Sequence, residues 1–172
     1  MLKRFLKNQK GLTLIELLAV VVILGIISAI AVPSIGGLID NSKKDAHVAN
    51  AQQMINAAKI AVTSNAKMLP QGSGSIIISL KYLEDEGYLE TLKDPDGGDN
   101  GNTRGYQLGA YPASNQTTYP YGDDTGSYVK VTKTNNKLSY EVKLVNQSRG
   151  VQTSAKGPVA ENDLRREVVI NK

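Results

Sequence analysis

The chain of 172 residues contains no cysteine, which removes disulfides, zinc–thiolate sites and thiol nucleophiles together. Any folded part must rest on packing and hydrogen bonds. Histidine occurs once, as His47, so the sequence offers neither a histidine metal cluster nor a Cys–His pair, and no glycine-rich phosphate loop follows a strand-like run. His47 falls on a polar stretch and reads as a solvated helix residue. Catalysis has little to work with, and the expectation is a protein that is not an enzyme and uses no cofactor. A third scarcity is local: from Gly11 to Ser42 there is no lysine, arginine or histidine.

That cation-free stretch contains an apolar run with one acid inside it, Glu16, ahead of Leu17 to Leu24. A carboxylate at the centre of a hydrocarbon layer costs about 2.5–3.5 kcal/mol, so it is retained where a partner or a function needs it. Cleavage between Gly11 and Leu12 would supply the missing charge, because it exposes an α-amino group four residues before Glu16 that is cationic at neutral pH. Charge is also distributed unevenly. The first eleven residues hold four of the twenty basic side chains, Lys3, Arg4, Lys7 and Lys10, and none of the sixteen acidic ones. The remainder is therefore balanced, and the net charge of +4 is a topology signal: a basic leader stays cytoplasmic and the C-terminus goes outward. Leu12 to Val32 is 21 residues, roughly 31 Å as a helix, enough to span a bilayer. Two other readings stay open. One is an ordinary secretory signal cut after Ala31 at Ala29-Ile30-Ala31; Glu16 would interrupt its apolar core, and the helical pattern does not stop there. The other is a plain single-pass anchor with an incidental glutamate.

A basic leader ending in glycine followed by LTLIELLAVVVILGIISAIAVP closely resembles the N-terminus of type IV pilins and the related pseudopilins, over roughly residues 7–40. The resemblance implies cleavage by a prepilin peptidase between Gly11 and Leu12, methylation of the Leu12 amine, an assembly charge at Glu16, and helix kinking or melting at Gly25 and Pro33. Leu12 departs from the usual phenylalanine after the cut, and the C-terminal cysteine pair common in Gram-negative major pilins is missing. The physics runs in parallel. A buried charge pair penalises every register that leaves it unpaired, so Glu16 of one subunit meeting the Leu12 amine of its neighbour would set the stagger of apolar rods. Pairing within one chain's first helical turn is the alternative. Pro33 lacks an amide hydrogen and crowds the carbonyl of Ala29, while Gly25 lowers helix stability by about 1 kcal/mol; a passive kink and local melting are equally open.

After Pro33, Val48, Ala51, Ile55, Ala58 and Val62 are spaced along one face, predicting an amphipathic helix over 34–69 backed by a small sheet. The expected organisation is a removed leader at 1–11, a transmembrane and polymerisation helix at 12–33, that amphipathic continuation, and a globular head at 70–172. The fold class is α+β, a long N-terminal helix packed on a small antiparallel sheet. Leu80–Leu92 reads as a short helix or turn-rich segment. The hairpin is clearest at Ser127–Leu144, turning near Asn135-Asn136, with Leu138, Tyr140, Val142 and Leu144 facing the helix. Further strands are expected at Arg104–Tyr111 and Glu167–Ile170.

Residues 94–102, DPDGGDNGN, form an exposed loop in which Asp94, Asp96 and Asp99 are weak calcium-ligand candidates; the spacing does not match an EF-hand. Some pseudopilins bind calcium near a similar loop. The resemblance also implies DNA uptake, and Lys130, Lys133, Lys137 and Lys143 with Tyr128 and Tyr140 make a weak phosphate-contacting patch. Lysines on a strand's outer face serve equally as edge protection. Asn115 and Asn146 head N-x-S/T motifs read as chance matches. The reading that emerges is a structural subunit: a prepilin in the cytoplasmic membrane, processed and polymerised by the pilus assembly platform and its ATPase into an extracellular homopolymer serving adhesion, motility or DNA uptake. A secretion pseudopilin or competence-type subunit is the alternative.

Overall fold

A computed structural model describes residues 9–97, 105–111, 121–122 and 124–172, with side chains from Leu14 onward. Helix α1 runs from Gln9 to Ser64 and is helical through both Gly25 and Pro33. The Ser34 hydroxyl donates to the Ile30 carbonyl at 3.1 Å. The chain divides into two compact units, 1–41 and 42–172. Within the first, Leu14, Ile15, Leu17, Leu18, Ile30 and Leu38 are all more than 60% exposed.

In the second unit the character of α1 changes. Ala51, Ile55, Ala58 and Val62 are buried as their spacing predicts, joined by Met54 and Ala61. Ala51, Ala58 and Ala61 with the larger Met54 and Ile55 share one core with side chains of the strands. Asn65 caps a 3₁₀ turn, Ala66–Met68, by accepting from the Lys67 amide, so regular helix ends at Ser64.

The sheet consists of β1 (Ser75–Ser79), β2 (Tyr128–Thr134), β3 (Lys137–Val145), β4 (Arg149–Val151), β5 (Val159–Ala160) and β6 (Val169–Asn171). Among the described residues its order is β1-β2-β3-β4-β6, with β5 also paired to β3. All of these pairings are antiparallel. The β2–β3 hairpin turns on Asn135 and Asn136, both at positive φ (48° and 63°), which fits a primed two-residue turn and the tolerance of asparagine for left-handed backbone. Val142 and Leu144 are fully buried, and Leu138 and Tyr140 lie partly buried against the same core. β1 supplies Ile76 and Ile78, and α2 (Leu80–Asp85), capped by Ser79 through the Tyr82 amide, adds Leu80, Tyr82 and Leu83.

Residues 105–111 and the last strand differ from expectation, while Leu80–Leu92 is a short helix followed by turns, as expected. Residues 105–111 form no strand; their backbone is tied to separate neighbours instead, with Gln107 N–H donating to Val145 O, Ser127 N–H to Gln107 O and Lys81 N–H to Leu108 O. Regular helix in the Leu80–Leu92 stretch stops at Asp85, where Gly87 adopts φ +73°. The last strand begins at Val169, after a 3₁₀ turn at Arg166–Val168.

Candidate functional site

The N-terminal unit is the first functional surface. Its helix is long and apolar enough to cross a membrane, and the exposed run from Leu14 to Ile39 exceeds any patch that a monomer in water tolerates. The cleavage positions Gly11 and Leu12 lie on helical backbone, and Glu16 stands exposed among apolar neighbours.

The second site lies in the head. His47, expected in solvent, is fully buried. It sits four residues before Ala51, so the buried stripe of α1 runs one turn further toward the N-terminus than the apolar residues alone reveal. Its Nε2 lies 3.0 Å from Asp96 Oδ2, and its Nδ1 lies 2.7 Å from the Tyr106 hydroxyl. A carboxylate only accepts, so Nε2 carries the hydrogen and Nδ1 accepts from Tyr106. Asn50 closes the chain by donating to the Tyr106 oxygen (3.0 Å) and to the Lys93 carbonyl (2.9 Å).

Asp94 to Asp96, at the start of the loop expected to be exposed, are drawn inward, while Gly97 is exposed and 98–102 lie outside the described residues. Asp94 is 6% exposed. Pro95 follows it, its fixed φ suited to the second position of a turn, and the turn closes with Gly97 N–H donating to Asp94 O at 3.0 Å. Asp94 Oδ1 accepts from the Asp96 amide, and the Asn146 amide group donates to both aspartates at 2.9–3.1 Å. Arg149 grips Asp96 with two parallel bonds, Nε to Oδ2 at 2.7 Å and a terminal nitrogen to Oδ1. Lys43 approaches the same carboxylate at 3.7 Å.

These partners set the protonation states. Hydrogen bonding from Arg149, then from His47 and Asn146, holds the Asp96 carboxyl well below the usual carboxylate range against the opposing effect of burial. Burial pushes His47 below its ordinary value although Asp96 and Asp94 pull the other way. Burial also raises the Tyr106 phenol.

His47, Asp94 and Asp96 place one ligand atom each within 4.8 Å of one another, the spacing of a metal cradle. A divalent cation would have to displace the Arg149 guanidinium from Asp96, so the arrangement is an ion-paired network rather than a set of available ligands. Asp99 lies outside the described residues. Asn146 is 2% exposed, and its Oδ1 accepts from the Ser148 and Arg149 amides, which leaves its side chain closed to glycosylation; Asn115 lies outside the described residues.

Two of the four patch lysines, Lys130 and Lys143, make local contacts. Lys130 pairs with Glu141 at 3.5 Å, Lys143 lies over the ring of Tyr128, and Lys59 over that of Tyr140. Tyr128 is 5% exposed and offers no face for a base to stack on. The sequence reading missed His47, Asn50, Tyr106, Asn146 and Arg149. Only the position of His47 on the helical stripe signalled any of them.

Comparison with known proteins supplies two findings. The prokaryotic N-terminal methylation motif matches residues 6–32. The type II secretion system core protein G of Klebsiella michiganensis is 28% identical over 102 residues, covering 54% of this chain and 72% of its own length. No solved structure matches.

Proposed function

We propose that the chain is a type IV pilin-like prepilin, a reading that its methylation motif and its relative support, and that it is a structural subunit rather than an enzyme. It enters the cytoplasmic membrane with its N-terminus inside, is cut after Gly11 by a prepilin peptidase, is methylated at Leu12, and polymerises through α1 into an extracellular filament. The observation that carries this reading is the exposed apolar face of residues 14–39 with Glu16 inside it. Lipid covers that face before assembly, and neighbouring copies cover it afterwards. Glu16 of one copy then meets the Leu12 amine of the next.

The likeness to a secretion-system core protein favours a second reading, in which the polymer is a secretion pseudopilus. Both readings share the N-terminal chemistry and differ in the assembly platform and ATPase that drive it.

Intact-mass measurement of the processed protein is expected to show loss of residues 1–11 and a gain of one methyl group; a product beginning at Val32 would establish ordinary secretion instead. Glu16→Gln is expected to leave membrane insertion unchanged and to cut filament yield at least tenfold, the effect of about 1.4 kcal/mol lost at each subunit contact. Normal filaments from that variant, seen by electron microscopy, would remove the charge pair from the scheme.

A further inference from the structure

The chain's one histidine is completely buried in a network that the assembly reading does not use. We propose that the Tyr106–His47–Asp96 chain is an acid-sensitive latch, which holds the Asp94–Gly97 turn against α1 while His47 is neutral and releases it when His47 takes up a proton. The latch is a property of the folded head and is independent of the assembly reading. On that reading the head faces the outside and meets the pH of the surroundings.

The geometry admits only one polarity. Asn50 donates to the Tyr106 oxygen, Tyr106 donates to His47 Nδ1, and His47 Nε2 donates to Asp96. Every donor has an acceptor, and no buried side-chain nitrogen or oxygen is left unpaired among the described residues. A proton added at Nδ1 turns an acceptor into a donor and aims it at a hydroxyl whose own proton already points there. Tyr106 must then rotate that proton elsewhere or move away.

Burial acts in the same direction. Among the described residues, the charged groups around the imidazole are Asp94 and Asp96 from the turn, Arg149 from β4 and Lys43 from α1. Lys43 is 39% exposed, whereas Asp94, Asp96 and Arg149 lie largely buried beside the imidazole and sum to one negative charge, with Tyr106, Asn50 and Asn146 supplying neutral bonds. The two aspartates favour an imidazolium, but the cost of burying its charge where water is excluded is the larger effect. Opening the turn hydrates the imidazolium and removes both conflicts. Histidine is the side chain whose titration lies closest to environmental pH.

The test uses the full chain in detergent micelles and chelated buffer, with ¹⁵N-labelled histidine and amide hydrogen exchange followed from pH 8 to pH 4. A single histidine makes the assignment unambiguous. The expected result is an Nε2-protonated tautomer at pH 7 and a midpoint below 6.5, the ordinary histidine value. Protection at Asp96 and Gly97, corrected for intrinsic rates, should fall at least about tenfold one unit below that midpoint, while Val129 and Val131 in the hairpin stay protected. Tyr106→Phe, which removes the donor to Nδ1, should raise the midpoint by about one unit. In His47→Gln, which still donates to Asp96 but does not titrate, protection of the turn should be independent of pH between 7 and 5. An Nδ1-protonated tautomer, a midpoint at or above 6.5, or turn protection unchanged across the titration would overturn the latch. Should His47→Gln fail to fold, the wild-type titration and exchange decide alone.

Discussion

At the scale of single residues, the head is stabilised by groups whose protonation differs between folded and unfolded chains, and both main contributors act in one direction. Asp96 is depressed, so its contribution is full above 3.8, the ordinary carboxyl value, and is lost as the pH falls through and below it. His47 is also depressed, so the unfolded chain binds the proton first. Its contribution is full above 6.5 and is lost as the pH falls toward the folded value. Head stability is thus expected to decline on acidification in two stages, the upper removed by His47→Gln and the lower by Asp96→Asn. Asp96→Asn is expected to cost about 3 kcal/mol at pH 7, because it breaks the two-bond ion pair with the largely buried Arg149. Chemical denaturation followed by tyrosine near-UV circular dichroism measures both effects. Beyond Asp94 and Asp96 as candidate ligands and the place of His47 on the helical stripe, this network was not legible from sequence. Its members are spread from Lys43 to Arg149, and nothing in the composition of an Asp-Pro-Asp-Gly turn tells whether it faces water or a histidine some fifty positions earlier.

At the scale of elements, legibility followed local periodicity. The stripe on α1 and the alternation in β3 were readable because each repeats at its own period, and the Asn135-Asn136 turn because its chemistry is local. β1 was not. Its Ser-Ile-Ile-Ile-Ser sequence has no alternation, and Ile77 is buried along with Ile76 and Ile78, so period two is erased by burial on both faces. β4 and β5 are too short to carry a period, although β4 pairs with the neighbouring end of β3 at Val145 and Gly150. Gly150 shows how tightly β4 is fitted. A Cβ there would meet the Leu144 carbonyl oxygen at 2.5 Å and Val145 Cα at 2.6 Å, both backbone atoms that cannot swing aside. Gly150→Ala is expected to destabilise the head by about 1–3 kcal/mol through overpacking, read as a lower denaturation midpoint with loss of exchange protection concentrated in β3, β4 and β6. An unchanged midpoint would mean that β4 moves freely relative to β3.

At the scale of the whole molecule, two solvents have written one helix. Apolar residues in the N-terminal unit face outward, as lipid or neighbouring helices require, and from Ala51 onward the apolar positions turn to one side, as a water-soluble core requires. The uniform apolar segment was the easiest feature to recognise because it needs no partner in the same chain. Arg166 grips Asp45 with bonds of 2.8 and 2.6 Å, and Lys59 meets Glu161 at 2.5 Å, so the C-terminal turns are tied to the same stretch of α1 that fills the core. That shared stretch decides where the polypeptide tolerates shortening. A water-soluble version must begin near Ser42, upstream of His47; started after Ser64, it would lack Ala51, Met54, Ile55, Ala58, Ala61 and Val62, and its sheet would present a bare greasy face to any other sheet it encountered.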